Sequence, residues 1–308
     1  MTSLLRTRLK AGKDALPERP FRVKHALASH PLFQLRHLAE LAGRMDRDRI
    51  EYNSGDLTPG QKAEETPGID LTPAETVRQI ETCHAWMVIK NVEHVPAYRE
   101  VLENCLYGLA DDLGLPHGYF GDIQGFIFVS SANSTTPIHI DAEDNFLIQM
   151  RGEKFVHIFE DADHRIAPPE ALELDPGKYR NLEYDESYEE HGEVHELGAG
   201  DGVRIPYFWP HWVRTGGDYS ISMAVTWKTP AILRNNKVLW VNAMLRRLGM
   251  PQDLPGKIPA LDTAKVLAHD AARAVVDPLR KSEGMRRLLR RVLFGKKANY
   301  YYREDSAA

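Results

Sequence analysis

Residues 134–160 read STTPIHIDAEDNFLIQMRGEKFVHIFE, and this stretch decides how the chain folds. Apolar residues run in short blocks on either side of Arg151-Gly152-Glu153, the pattern of a β-hairpin closed by a tight turn. Alternation along the second strand puts Lys154, Val156 and Ile158 on one face and Phe155, His157 and Phe159 on the other. Upstream, His139 and Asp141 stand two apart in a β-type run, so their side chains project together into whatever the sheet encloses. A buried carboxylate without a partner is costly, and a metal ion would neutralise it.

Outward from the hairpin the same texture continues. GFIFVSS (125–131), EVHEL (193–197), GVRIP (202–206) and YSISMAVTW (219–227) are further short β-runs separated by turns. So many short strands in one stretch predict an α+β protein whose core, 121–232, is a double-sheet jelly-roll or double-stranded β-helix of cupin-like architecture. Helical signals flank it. PLFQLRHLAELAGRM (31–45) places Leu32, Leu35, Leu38 and Ala42 on one stripe, with Pro31 in a first turn. In TPAE, Thr72 caps, Pro73 takes the first turn and Glu75 closes a capping box. WMVIKNV (86–92) reads as a buried strand, and the apolar positions from Tyr98 to Leu109 as a helix stopped by Gly114. Helix returns after 233. The expected layout is an N-terminal helical segment over 1–120 packed on the core, and a helical C-terminal extension over 233–308.

Composition narrows the function classes. With 27% charged residues and a formal net charge of -5, nothing global points to nucleic acid or membrane. Cys83 and Cys105 stand alone without a CxxC, so neither a disulfide framework nor a thiolate zinc site is indicated, and a reducing cytoplasmic setting fits. The chain shows neither an N-terminal apolar core before a cleavage site nor an apolar run long enough to span a bilayer, so no export and no membrane span are expected. The local exception is 280–297, RKSEGMRRLLRRVLFGKK. Such a basic amphipathic helix more often packs its apolar stripe, here across a homodimer interface, than binds an acidic partner.

Spacing alone does not identify a metal site. An H-x-[DE] pattern occurs at His139-Ile140-Asp141 and His191-Gly192-Glu193, and random placement would give about two. Context separates them: His191 and Glu193 lie in a loop thick with Glu and Tyr and read as solvated. A third ligand for the first pair comes from GDGVRIPYFWPHW (200–212), which supplies His211 at the start of a strand. Two imidazoles and one carboxylate on one face of an octahedron leave three positions open, the arrangement of non-haem Fe(II) oxygenases. If Lys154 faces that cavity it needs an anionic partner, and a dicarboxylic co-substrate could be one.

At this point the chain resembles a known family, the Jumonji-C-type 2-oxoglutarate-dependent oxygenases. It resembles especially the branch of the asparaginyl hydroxylase that inhibits hypoxia-inducible factor, and its bacterial cupin-like relatives. TPIHIDAEDNFLIQMRGEKFVHIF (136–159) follows the family's T-x-x-H-x-D, N-F and Q-x-x-G-x-K, and GAGDGVRIPYFWPHWV (198–213) its G-D-x-x-x-I-P-x-x-W-x-H. The resemblance implies that His139, Asp141 and His211 hold Fe(II). It implies that Lys154, helped by Thr136, meets the distal carboxylate of 2-oxoglutarate and that Asn145 sits near the co-substrate's metal-binding end. Phe128 and Trp227 would be apolar walls. Val225 stands where this branch has asparagine, which bears on the hydrogen bonding around the metal. The implied activity is hydroxylation of a protein side chain or small molecule with O2, releasing succinate and CO2. A different class, a metal-binding cupin-like sensor or regulator without turnover, shares the same ligands. Dimerisation through C-terminal helices is a further implication of the resemblance.

Overall fold

The structure, a computed structural model, describes residues 3–12, 15–175 and 180–279. The described residues fall into two compact units, those within 3–166 and 181–229, and those within 167–180 and 230–279.

The first unit opens with β1 (Leu5–Thr7), β2 (Phe21–His25), α1 (Leu35–Arg44), β3 (Ile50–Ser54), α2 (Pro73–Arg78), β4 (Ala85–Lys90) and α3 (Pro96–Leu113). It then runs through β5 (Gly121–Ser130), β6 (Thr135–His139), β7 (Asp144–Arg151), β8 (Lys154–Phe159), β9 (Gly192–Leu197), β10 (Asp201–Ile205), β11 (His211–Thr215) and β12 (Ser220–Lys228). Local chemistry sets the helix ends. The Thr72 hydroxyl accepts from the Glu75 amide and the Glu75 carboxylate accepts from the Thr72 amide, so the capping box of α2 is complete. Gly114 ends α3 in the left-handed region (φ 73°), where glycine carries no Cβ penalty.

The strands form a large sheet in the order β1-β2-β10-β7-β12-β5-β4-β3 and a small one in the order β6-β11-β8-β9. From β5 to β12 the chain passes back and forth between the two, so their inner faces enclose a common interior. Leu147, Val156, Ile158, Val203, Ile205, Val213 and Ala224 fill it, with Phe126 and Phe128 packed against them. The opposite face of the large sheet, bearing Ile127, Phe146, Ile148 and Met223, packs on α1 and α3.

Residues 1–120 depart from the expected helical segment, because β1 to β4 extend the large sheet at both ends. Their sequences, LRT, FRVKH and IEYNS for the first three, carry no continuous apolar run. They become strands by pairing with edges that the core presents, β2 on β10 and β3 on β4, a tertiary effect that local periodicity does not reveal. The expected boundary at 120/121 therefore falls inside one sheet.

Two residues at the end of β12 also lie elsewhere than the resemblance implied. Trp227 is fully buried on the outer face of the large sheet, its ring 5.2 Å from Phe120 and 4.8 Å from Phe146, and Val225 packs in the same layer. Strict alternation is the reason: Ser222, Ala224 and Thr226 point inward, so the odd-numbered neighbours point away. Trp227 is thus no wall of the interior, and the valine at 225 does not touch it.

The β7–β8 hairpin turns at Gly152, which has φ 70° and faces the Tyr219 carbonyl oxygen where a Cβ would stand. Gly152→Ala is expected to lose stability by more than about 1 kcal/mol, measured as a lower urea midpoint at unchanged slope.

The second unit contains α4 (Pro230–Arg247) and α5 (Pro259–Leu279). Lys237 Nζ donates to Asp270 at 2.8 Å and the buried Lys265 Nζ to Asn242 Oδ1 at 2.6 Å, linking the two helices. The basic segment 280–297, read as the basis of a dimer interface, lies outside the described residues. Among the described residues no helix is long and apolar enough to cross a membrane.

Candidate metal centre

His139, Asp141 and His211 come together: one ligand atom from each lies within 4.8 Å of the others. His211 opens β11 and pairs with His139 at the end of β6, and the two rings stand 4.2 Å apart. Asp141 lies two residues past β6. Its carboxylate oxygens are 3.9 Å from His139 Nε2 and 3.6 Å from His211 Nε2.

A local irregularity makes the site possible. Val213 pairs with Thr136 and His211 with His139, so two residues of β11 span three of β6. The extra residue, a β-bulge next to Pro137, puts Thr136 and His139 on the same inner face although they are three apart. Proline is tolerated there because β6 is the edge of the small sheet.

Both imidazoles are held in one tautomer. His139 Nδ1 donates to the Pro137 carbonyl at 2.8 Å and His211 Nδ1 to the Trp209 carbonyl at 3.0 Å. Each Nε2 lone pair is left facing the carboxylate, the backbone-anchored arrangement usual for metal-binding histidines. Burial pushes the His211 pKa down to about 4, with His139 acting in the same direction and Asp141 opposing. The ring is therefore neutral at physiological pH, the form that ligates. Two imidazoles and one carboxylate are the donor set of a facial triad with open positions, which suits Fe(II).

Four residues along β8 and β11 from the His211–Ile158 pair, Lys154 pairs with Thr215, about 13 Å of strand away. Its side chain is buried at 2% exposure. Nζ donates to Ser222 Oγ at 2.9 Å and lies 5.1 Å over the Phe128 ring. Among the described residues no carboxylate stands within ion-pair distance of it, and burial lowers its pKa to about 7. The Thr136 hydroxyl accepts from Trp86 Nε1 at 2.9 Å, so the hydroxyl proton is free to donate elsewhere. At the Asp141 end of the interior, Asn145 and Thr226 face each other across β7 and β12. Asn145 Oδ1 and Thr226 Oγ1 are buried without a protein partner among the described residues, a state that native interiors rarely leave uncompensated. The interior thus gathers a lysine amine, hydroxyls and a carboxamide among its apolar side chains.

Of the residues singled out from sequence, His139, Asp141 and His211 are gathered at one point, and Lys154, Thr136, Asn145 and Phe128 face the same interior, while Trp227 does not. His157 points outward, stacked 3.8 Å from Trp212 and bonded to Glu189 at 2.7 Å, and His191 and Glu193 are exposed. Sequence reading passed over Trp86, Ser222 and Thr226. The last two carried a signal, since YSISMAVTW alternates small or polar residues with large apolar ones. Trp86 carried none, because it reaches the interior from a strand outside the core.

A cupin-like domain profile matches residues 19–231. No curated protein matches the chain. Among solved structures, Escherichia coli YcfD is 17% identical with a TM-score of 0.44, over 89% of this chain and 68% of that one. A second YcfD structure, described as a ribosomal oxygenase in complex with cobalt and 2-oxoglutarate, is 17% identical with a TM-score of 0.43, over 82% of this chain and 63% of that one. A mutant of Bacillus subtilis oxalate decarboxylase OxdC is 11% identical with a TM-score of 0.27, over 47% of this chain and 26% of that one.

Proposed function

The chain belongs to the cupin-like domain family, and from that membership and the geometry of its interior we propose that it is an Fe(II)- and 2-oxoglutarate-dependent oxygenase. The observation that carries the reading is the pairing, in one interior, of a two-histidine, one-carboxylate cluster with a buried lysine that has no acidic partner among the described residues. An Fe(II) ion with bound 2-oxoglutarate supplies O2-dependent decarboxylation of the co-substrate to succinate and CO2, coupled to hydroxylation of a C–H bond.

Each side chain has a task. His139, Asp141 and His211 hold the metal by one face and leave the other open. Lys154 meets the distal carboxylate, and Thr136, its oxygen already accepting from Trp86, donates its proton to the same group. Asn145 and Thr226 offer hydrogen bonds at the metal end, and Phe128 walls the interior beside Lys154. The winding of β5 to β12 between two sheets supports a double-stranded β-helix. The motifs at 136–159 and 198–213 support kinship with the asparaginyl-hydroxylase branch, and the target would be a protein side chain or a small molecule. The free thiols of Cys83 and Cys105 suit a reducing cytoplasm.

Succinate formation by purified protein should require Fe(II), O2 and 2-oxoglutarate together and should vanish in His139→Ala. Metal binding without any succinate would instead identify a regulator. Trp86→Phe keeps an aromatic ring but removes the donor to Thr136. Losing one hydrogen bond of about 1 kcal/mol should weaken 2-oxoglutarate binding about fivefold, read by calorimetry.

A further inference from the structure

Two loops set the metal ligands: one between β6 and β7 carries Asp141, and one between β10 and β11 leads directly into His211, the first residue of β11. Nothing in a triad by itself keeps two loops in register. In this chain a buried carboxylate that binds no metal does so. Asp144, the first residue of β7, is 3% exposed, and its Oδ1 accepts from the Tyr207 amide at 3.2 Å and from Arg204 Nη2 at 2.5 Å. The Phe208 amide donates to the Asp141 carbonyl at 3.0 Å. Two consecutive amides of the His211 loop are therefore bonded to the Asp141 loop. Between them and the metal stands one more link, the Trp209 carbonyl that accepts from His211 Nδ1.

The loop is held in a conformation it would not choose alone. The Trp209 amide closes a turn on the Pro206 carbonyl at 3.1 Å, and Phe208 in that turn has φ 59°. A bulky residue in the left-handed region is strained, and such strain persists only where the surroundings over-determine it. The anchors are themselves fixed, since Arg204 also donates to the Pro17 carbonyl. Overall stability is a weak explanation for the ion pair, because buried pairs replaced by apolar residues of similar volume often leave stability unchanged or raised.

We infer that Asp144 is a positioning residue of the metal centre: through the Tyr207 amide it locks the loop leading into His211 against the loop bearing Asp141. The inference rests on the metal-binding reading and concerns the geometry of this chain's own ligands.

Two double variants remove the buried charges and differ only in the acceptor. Asp144→Asn with Arg204→Met keeps an oxygen for the Tyr207 amide, and Asp144→Leu with Arg204→Met removes it. Cobalt(II) titrated into each protein, followed by its visible absorption and by calorimetry, reports both affinity and ligand geometry. The asparagine pair should bind within about threefold of wild type. The leucine pair should bind roughly 10- to 100-fold more weakly, the usual effect of losing an outer partner, with an altered cobalt spectrum at a comparable melting temperature. If wild-type protein takes up no cobalt(II), the metal reading falls and the inference with it. If wild type binds and the leucine pair binds equally well with the same spectrum, the inference alone is overturned. Should the leucine pair fail to fold, hydrogen exchange of the Tyr207 amide in wild-type protein decides. Reciprocal linkage requires cobalt(II) to raise its protection, and unchanged protection overturns the inference.

Discussion

His211→Ala is expected to abolish metal-dependent succinate formation and to remove the stabilisation that metal confers. His211 is buried at 3% exposure and supplies one of three ligand atoms. The remaining His139 and Asp141 would be a bidentate pair with no geometry to favour Fe(II). A ligand that binds only the folded state stabilises it by about 2.7 kcal/mol at a hundred times its Kd. Wild-type protein should therefore melt several degrees higher with cobalt(II) or anaerobic Fe(II), and the variant should melt at one temperature with or without metal. His211 is neutral, so its loss removes no buried charge, and the apo-variant should keep the wild-type circular dichroism. A metal-induced shift of wild-type size in His211→Ala would show that the ion binds elsewhere.

Lys154→Met is expected to leave the apo-fold intact and to weaken 2-oxoglutarate binding by thirtyfold or more. Methionine fills the space of the lysine stem beside Phe128 and Ser222, and replacing a buried charge by an apolar side chain of similar volume is well tolerated. The ligand's distal carboxylate would meanwhile lose a desolvated, hydrogen-bonded charge partner, a loss of about 2–5 kcal/mol. The pH dependence has a definite sign. Burial lowers the Lys154 pKa to about 7 in the free protein, whereas the bound carboxylate requires the ammonium. Below pH 7 the lysine is already charged and the Kd contributed by this group is flat. Above pH 7 binding must take up a proton, so Kd should rise about tenfold per pH unit until the pKa of the complex is reached. Calorimetry in buffers of different ionisation enthalpy should detect that proton at pH 8 in wild type and none in Lys154→Met. A pH-independent Kd between 7 and 9 in wild type would show that Lys154 does not meet the co-substrate.

Much of this centre was legible in sequence because strands carry a period of two. Alternation after the hairpin at Gly152 put Lys154 and His157 on opposite faces, and in the structure Lys154 is the buried one. The i, i+2 spacing singled out His139 with Asp141, although β6 ends at His139 and Asp141 stands in the loop that follows. What period-two reading does not reveal is where the register breaks. Thr136 shares the inner face with His139 only because of the bulge at Pro137, and the resemblance supplied that residue where alternation would not. The same limit explains Trp227. Its motif position suggested a wall of the interior, yet it falls on the odd positions of β12 and packs with Phe120 and Phe146. The N-terminal strands were hidden for another reason. LRT, FRVKH and IEYNS have little pattern of their own, and they gain strand structure from edges contributed by residues far along the chain. Trp86 reaches Thr136 through that addition, which is why its role is visible only in three dimensions.

The central claim is that three side chains and one lysine bind a metal and a dicarboxylate in a single interior. Crystals grown without oxygen in Fe(II) and N-oxalylglycine, an unreactive 2-oxoglutarate analogue, should be measured at the iron absorption edge. The account predicts one anomalous peak coordinated by His139 Nε2, His211 Nε2 and Asp141, with the analogue's far carboxylate on Lys154 Nζ and Thr136. An iron peak that omits any of those three residues, or an analogue whose far end lies away from Lys154, would contradict it.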